Sequence, residues 1–152
     1  MFLISPVPRI LGVDPGGTTG FCLVESEAIG RPTGHRIIAV GEILSNDFFY
    51  WLQQWDSQEL THVVCEDWIQ RPDMASGRWT PQSVAKQVGA ISYRAFDLNC
   101  LYIELQPSDK PTGYKAAGLR YIKGKRGTHI EDATAHALFV AKLGFKPSQR
   151  KG

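Results

Sequence analysis

The sequence contains few cysteines and no long apolar run, and each shortage excludes a class of protein. Three cysteines occur among the 152 residues, an odd number without a C-x-x-C pair, which argues against a zinc site or a disulfide framework. We expect Cys22, Cys65 and Cys100 to be small core residues in a reducing compartment. No apolar run approaches the roughly 18 residues that span a membrane, and the apolar start over residues 1–4 is too short for a signal peptide. We therefore expect a cytoplasmic protein without a membrane partner.

Internal repeats, low-complexity segments and linkers are also missing from the sequence. At 152 residues the chain is long enough to bury one core and too short for two lobes. Its composition of 43% hydrophobic and 21% charged residues is that of an ordinary globular domain. We predict a single domain over residues 1–152.

Excess charge is small overall, with a formal net charge of +2, but it is unevenly distributed. Residues 106–152 contain ten lysines and arginines against three acidic residues, whereas the first 105 residues contain seven against twelve. The basic half favours an anionic partner. Within it, residues 106–128 combine six basic residues with two tyrosines and predict a basic loop suited to a sugar-phosphate backbone and its bases. A solvated loop without a partner is the alternative.

One short apolar stretch is followed directly by Asp14 and a glycine-rich turn. Apolar residues 10–13 have the character of a buried strand, and Pro15-Gly16-Gly17 ends it, because proline removes a ladder donor and glycine permits positive φ. Asp14 is therefore predicted at the carboxyl end of this strand, with a second strand over residues 21–24 forming a hairpin. The alternative is that Asp14 only orders the turn through its own backbone.

A second acidic strand end follows further along the chain. Residues 35–44 predict a third strand, and residues 48–55 predict a helix whose aromatic stripe, Phe48, Phe49, Trp51, Leu52 and Trp55, lies in the core. Residues 61–68 then form a strand that contains Glu66 and Asp67. A strand reached through a crossover helix lies parallel to one already in the sheet, about 4.8 Å from its neighbour, so Glu66 can share a site with Asp14. The alternative is that both acids only cap an exposed strand end.

The last helix brings further polar groups to one face. Residues 69–80 predict a loop, Pro81 to Asn99 a long helix and residues 100–105 a fifth strand. Thr128 and Glu131 form a capping box for the final helix. His129, Asp132 and His136 are spaced i, i+3 and i+7 and share one face of its first two turns.

Carboxylates that converge from separate strands and a helix, without cysteine, make an oxygen-rich site suited to Mg²⁺ or Mn²⁺. Two such ions roughly 4 Å apart promote in-line displacement at phosphorus. A nearby histidine can move protons or bind metal. Together with the basic half, this predicts a metal-dependent phosphodiesterase that acts on nucleic acid.

The order βββαβαβα, the D-P-G turn, the glutamate that ends the fourth strand and the H-x-x-D-A start of the last helix resemble the RuvC-type Holliday-junction resolvases, in particular their compact bacteriophage-encoded versions. The resemblance covers roughly residues 8–143. It implies an α/β fold with a ribonuclease H-like mixed five-stranded sheet flanked by helices. It also implies metal-binding catalytic roles for Asp14, Glu66 and Asp132, and a similar role for His129, with two Mg²⁺ ions per site.

The partners that the resemblance implies are branched DNA and a second copy of the chain, in a homodimer assembled through the helix from Pro81, in a bacterial or phage-infected cell. The segment Ser83 to Gly89 resembles the helix start that lies near DNA in this family. Trp68 is offset by one position from the aromatic residue of the family. The residues that we expect to contact DNA are Arg78, Ser83, Lys86, Lys110, Lys115, Lys123, Lys125 and Arg126.

Three other functions remain open at this point. A ribonuclease H-like nuclease that acts on flaps, single strands or RNA–DNA hybrids would use the same metal site. The segment from Asp14 to Gly20 also resembles the first phosphate loop of actin-like and sugar-kinase ATP-binding proteins, although those need two lobes and the G-K-[ST] ending of a P-loop is absent. A non-catalytic DNA-binding module with the same fold is the third alternative.

Overall fold

The computed structural model describes residues 7–56, 59–66, 81–125 and 127–145, and at 81–83 only the backbone. The strands are β1 (Arg9–Asp14), β2 (Thr18–Ser26), β3 (His35–Leu44), β4 (His62–Glu66) and β5 (Leu101–Leu105). The helices are α1 (Phe48–Gln54), α2 (Pro81–Asp97), α3 (Lys110–Ala116) and α4 (His129–Leu143). In the described ranges no helix is both long and apolar enough to cross a membrane.

All five strands form one mixed sheet in the order β3-β2-β1-β4-β5, which confirms the predicted sheet. Strands β1, β2 and β3 form an antiparallel meander, whereas β4 is parallel to both β1 and β5. Val13 pairs with Cys65 across the parallel β1–β4 ladder. Because the next residue in each strand continues this register, Asp14 and Glu66 lie side by side where β1 and β4 end at the same edge of the sheet.

Side chains of each strand alternate between two core layers on opposite faces of the sheet. One layer, which includes Ile10 and Val64, packs against α4. The other layer, which includes Leu11, Val63 and Ile91, lies beneath α1 and α2. Strands β1 and β4 are buried on both faces, so the residues that end them are held on a rigid base.

Two glycines allow α4 to lie directly on the backbone of the sheet. A Cβ built at Gly12 would lie 2.9 Å from Ala137 N and closer still to the carbonyl oxygen of Ala133. A Cβ built at Gly20 would lie 2.7 Å from Ile130 N and closer still to the carbonyl group of His129. Real Cβ atoms do not come this close, so only glycine permits the observed packing. This close approach brings the first turn of α4 to the end of β1.

The prediction of a basic loop over residues 106–128 is wrong for its first half. Residues 107–109 form a 3-10 turn and residues 110–116 form α3. Asp109 Oδ2 accepts a hydrogen bond from Gln106 N at 2.9 Å, which caps this turn. Pro107 and Pro111 occupy first-turn positions, where the missing N–H costs no helical hydrogen bond, and Gly113 packs against α4. The two prolines therefore begin helical segments here, and the glycine lets α3 pack against α4.

The aromatic stripe of the first predicted helix is only partly correct. Phe48 and Leu52 are buried, but Phe49 is 53% exposed and lies outside the core. The chain forms a 3-10 turn over Ser45–Asp47 before α1, and Trp55 caps α1 instead of lying within it. Trp51 and Trp55 pack partly buried against the same core layer as Phe48 and Leu52, so the buried face keeps its helical spacing and Phe49 lies off that face.

Candidate active site

The carboxyl ends of the two parallel strands β1 and β4 carry the first two acids. Asp14 is the last residue of β1 and Glu66 is the last residue of β4. Their side chains are 14% and 23% exposed, so both carboxylates are largely enclosed but still accessible to solvent. The predicted neighbouring position of these two acids is confirmed.

The first turn of α4 completes this acidic edge. Thr128 Oγ1 accepts a hydrogen bond from Glu131 N at 3.1 Å, and Glu131 Oε1 accepts one from Thr128 N at 3.2 Å. This capping box, which the sequence predicted, fixes the direction in which the helix starts. His129 Nδ1 consequently lies 2.7 Å from Asp14 Oδ2, so α4 is joined directly to the end of β1.

Asp132 is the most deeply buried of the three carboxylates, with 8% of its side chain exposed. Tyr114 of α3 donates a short hydrogen bond from its hydroxyl to Asp132 Oδ1. Burial and the adjacent carboxylate raise the pKa of Tyr114, so its hydroxyl keeps its proton. A Cβ at Gly127 would collide with the Tyr114 hydroxyl, so this contact also depends on a glycine. Tyr114 was not predicted as a site residue, because this segment was predicted to be a loop.

Lys110 lies between two of the acids. Its Nζ is 3.3 Å from Glu66 Oε2 and 3.3 Å from Asp132 Oδ2. Burial lowers the pKa of Lys110, but the two carboxylates outweigh burial and leave the pKa raised, so the ammonium group stays charged. From the sequence, Lys110 was predicted to contact DNA from a basic loop, whereas the structure places its ammonium group between Glu66 and Asp132.

His136 lies one turn further along α4 and is almost completely buried, with 3% of its side chain exposed. Its Nε2 is 3.9 Å from Glu66 Oε2, which is too long for a hydrogen bond, and it has no hydrogen-bond partner among the described residues. Burial lowers the pKa of His136, while the carboxylates of Asp14, Glu66 and Asp132 oppose that effect. The imidazole therefore lies beside Glu66 and within electrostatic range of Asp14 and Asp132.

The chemistry of the site is that of oxygen donors and imidazoles without thiolates. Among the described residues, no three histidine, cysteine, aspartate or glutamate side chains lie close enough to hold one ion together. The acids are instead linked in pairs, Asp14 with His129 and Glu66 with Asp132 through Lys110. Displacement of the Lys110 ammonium by a divalent cation would leave a donor set that suits a hard metal ion.

The other residues that were predicted to contact DNA either lie on the surface or fall outside the part of the chain that the structure describes. Lys86, Lys115, Lys123 and Lys125 are exposed. A cleft of about 330 Å³ next to the acids is lined by Lys110, Tyr114, Tyr121, Gly124, Lys125 and Gly127. The side chain of Ser83 and the residues Asp67, Trp68, Arg78 and Arg126 lie outside the described residues.

The fold is similar to the solved structures of RuvC and of a Holliday junction resolvase. Thermus thermophilus RuvC superimposes with a TM-score of 0.62 at 18% identity, over 86% of this chain and 91% of that chain. The same protein in complex with a Holliday junction substrate gives 0.55 at 17% identity, over 86% and 90%. The yeast mitochondrial Holliday junction resolvase Ydc2 gives 0.53 at 14% identity, over 93% and 79%.

These likenesses establish the fold class, which is the ribonuclease H-like α/β fold that the sequence predicted. No protein-family model matches the sequence, and no curated protein matches it either. At these levels of identity the activity has to be argued from the site itself.

Proposed function

We propose that this protein is a metal-dependent endonuclease that hydrolyses phosphodiester bonds in branched DNA, with the four-way Holliday junction as its preferred substrate. One observation carries the proposal: Asp14, Glu66 and Asp132 converge at one edge of the sheet, where Glu66 and Asp132 share the half-buried ammonium group of Lys110 and Asp14 contacts His129. Three acids at the ends of separate elements serve no purpose in packing, because buried carboxylates cost free energy unless they are paired.

Asp14, Glu66 and Asp132 would hold divalent cations, with Mg²⁺ or Mn²⁺ as the ions that suit carboxylate ligands. When bound, two such ions supply an activated water and stabilise the leaving oxygen of the phosphodiester. His129 has the position of a proton carrier, because Asp14 accepts a hydrogen bond from its Nδ1 and thereby orients the imidazole ring. Tyr114 fixes the orientation of the Asp132 carboxylate.

The DNA backbone would be bound by the exposed basic residues in the last turn of α3 and beyond it. Lys115, Lys123 and Lys125 are exposed, and Tyr121, 38% exposed, presents a ring on which a base can stack. The cleft that these residues border adjoins Lys110, so a bound strand would pass close to the acids. The Holliday junction bound to the structurally similar Thermus thermophilus RuvC supports branched DNA as the substrate class.

Symmetrical cleavage of a junction requires two active sites, and we therefore include a homodimer in the proposal. The predicted dimer helix α2 carries Tyr93 and Phe96, which are 70% and 80% exposed. Large aromatic side chains at this exposure are enriched at protein interfaces. Sedimentation of the chain with and without junction DNA measures the oligomeric state directly.

A cleavage panel tests the proposed activity. Four-way junction, flap, single strand and RNA–DNA hybrid are incubated with Mg²⁺, with Mn²⁺ and with chelator. We expect cleavage of the junction only when the metal is present. Asp14→Asn, Glu66→Gln and Asp132→Asn should each abolish this cleavage but leave junction binding intact. Asp97→Asn is the matched control, because Asp97 is the last residue of α2, is 51% exposed and pairs with Arg94 of the same helix.

Different outcomes separate the proposal from its alternatives. Preference for flaps or hybrids would retain the metal site but replace the junction as the substrate. Cleavage by Asp14→Asn at the wild-type rate would remove Asp14 from the catalytic set. Junction binding without cleavage under any metal would indicate a non-catalytic DNA-binding module.

A further inference from the structure

The cleft next to the acids has a composition that chemistry at the carboxylates does not explain. Its described lining consists of two lysines, two tyrosines and two glycines, and none of these residues is acidic. Its volume of about 330 Å³ lies at the small end of the range for pockets that enclose small ligands, about 300–1,000 Å³. The cleft therefore has room for one small ligand but not for a duplex.

Two aromatic rings form one side of this cleft. The ring centroids of Tyr114 and Tyr121 are 5.5 Å apart, and the ring planes are inclined by 72°. Tyr114 is 3% exposed and its hydroxyl is bonded to Asp132, so its ring is fixed beside the acids. Tyr121 packs against that ring but stays 38% exposed. A partly exposed ring in a fixed position offers a surface on which a nucleobase can stack.

The segment that follows Tyr121 forms a closed turn at the border of the cleft. Lys125 N donates a hydrogen bond to the carbonyl oxygen of Ile122 at 3.1 Å. Gly124 occupies the third position of this turn with a φ of +82°, a conformation that favours glycine. The turn keeps the exposed Lys125 at the same cleft as Tyr121. Together the two side chains offer a ring for a base and an ammonium group for a phosphate.

We propose that this cleft is a subsite for one unpaired nucleotide of the substrate strand, whose base stacks on Tyr121 and whose phosphate is bound by Lys125. The subsite rests on the proposed nuclease function and deepens it, because it states which feature of branched DNA the enzyme selects. A base enters such a pocket only after it leaves the helical stack, and this costs least where the base is already unpaired. The cleft therefore favours branch points over continuous duplex.

Photocrosslinking locates this nucleotide without any change to the protein. 5-Iodouracil replaces single bases close to the branch point of a four-way junction, which is bound to the wild-type chain with chelator present so that it stays intact. We expect irradiation to crosslink one of these positions to Tyr121, as identified by mass spectrometry of the peptides. Tyr121→Phe should keep the crosslink because it keeps the ring, and Tyr121→Ala should lose it. Tyr50→Ala, at a tyrosine of α1 that is 73% exposed, is the matched control and should leave the crosslink unchanged.

Affinity for a mismatched junction tests whether the base leaves the stack. A mismatch at the crosslinked position should tighten binding to the wild-type chain by about 10-fold or more, because no base pair then has to be broken. Tyr121→Phe should keep this difference. Tyr121→Ala should bind the paired and mismatched junctions almost equally, because stacking no longer stabilises the extruded base. A crosslink to Tyr121 without any effect of the mismatch would mean that the base stays paired, and it would overturn the proposal.

Failure of the subsite and failure of the proposed function give different results. If the chain binds and cleaves the junction but no position crosslinks to Tyr121, only the subsite is overturned. If the chain neither binds nor cleaves branched DNA, both proposals fail. Circular dichroism of each variant identifies losses that come from unfolding.

Discussion

Gly20→Ala tests whether the close packing of α4 on the sheet positions the site. A Cβ at Gly20 would lie 2.7 Å from Ile130 N, whereas ordinary contacts begin at 3.4 Å. The first turn of α4 must therefore retreat by at least about 0.7 Å from β2. We expect the free energy of unfolding to fall by about 1–3 kcal/mol, which is typical of an overpacked core.

The same displacement should impair the chemistry more than the fold. His129 moves with the turn and away from Asp14, to which its Nδ1 now lies 2.7 Å distant. Because misplacing catalytic groups by about 1 Å can cost on the order of 10²-fold in rate, we expect a loss of that order in metal-dependent junction cleavage. Urea unfolding and single-turnover cleavage measure the two effects separately.

Gly17→Ala is the matched control for this substitution. Gly17 lies in the turn just before β2, three residues from Gly20; its added Cβ would meet nothing within 4 Å, and its φ is not positive. Alanine should therefore leave stability unchanged or raise it by a few tenths of a kcal/mol, with cleavage intact. If Gly20→Ala matches Gly17→Ala in both assays, the packing argument is wrong and α4 does not depend on this glycine for its position.

Three further predictions follow from individual contacts. Replacing Lys123 and Lys125 by glutamine should weaken junction binding and reduce the salt dependence of log Kobs by about 2, since each phosphate contact contributes about 0.9; an unchanged slope would exclude both lysines from the interface. Tyr114→Phe removes a hydrogen bond to the buried carboxylate of α4 and should lower the free energy of unfolding by about 1.5–3 kcal/mol, whereas Tyr50→Phe, at a side chain 73% exposed, should not. Burial lowers the pKa of His62, so the unfolded chain takes up a proton below about pH 6.5 that the folded chain does not, and stability should fall there. Denaturation midpoints of His62→Asn across pH 5–8 should show a shallower fall, and an unchanged curve would contradict the assignment.

Much of the sheet was predictable because its signals are local. Apolar runs that end in Pro, Gly or acidic residues determine β1 and β4, and a crossover helix makes them parallel. Asp14 and Glu66 were therefore placed correctly as neighbours without any knowledge of side-chain contacts. The capping box of Thr128 likewise predicted the start of α4 to the residue.

The groups that neutralise the acids were less predictable because they depend on tertiary contacts. Lys110 and Tyr114 are four residues apart and share one face of α3, but this spacing has meaning only if the segment is helical. The basic residues and tyrosines of this segment predicted a loop instead. His136 was noted for its spacing alone, and only the structure shows that it is buried beside Glu66.

These neutralising contacts explain how three acids can be preformed at one edge of the sheet. Unpaired carboxylates in such proximity would repel each other and raise their own pKa values. Here Asp14 is paired with His129, while the Lys110 ammonium is shared by Glu66 and Asp132. Because α3 supplies that ammonium group, any cation that takes its place must also break the ion pairs of Lys110 with Glu66 and Asp132, while Tyr114 can keep its hydrogen bond to Asp132. The ability of this edge to bind metal is therefore coupled to the position of Lys110, which begins the helix leading to the exposed basic segment.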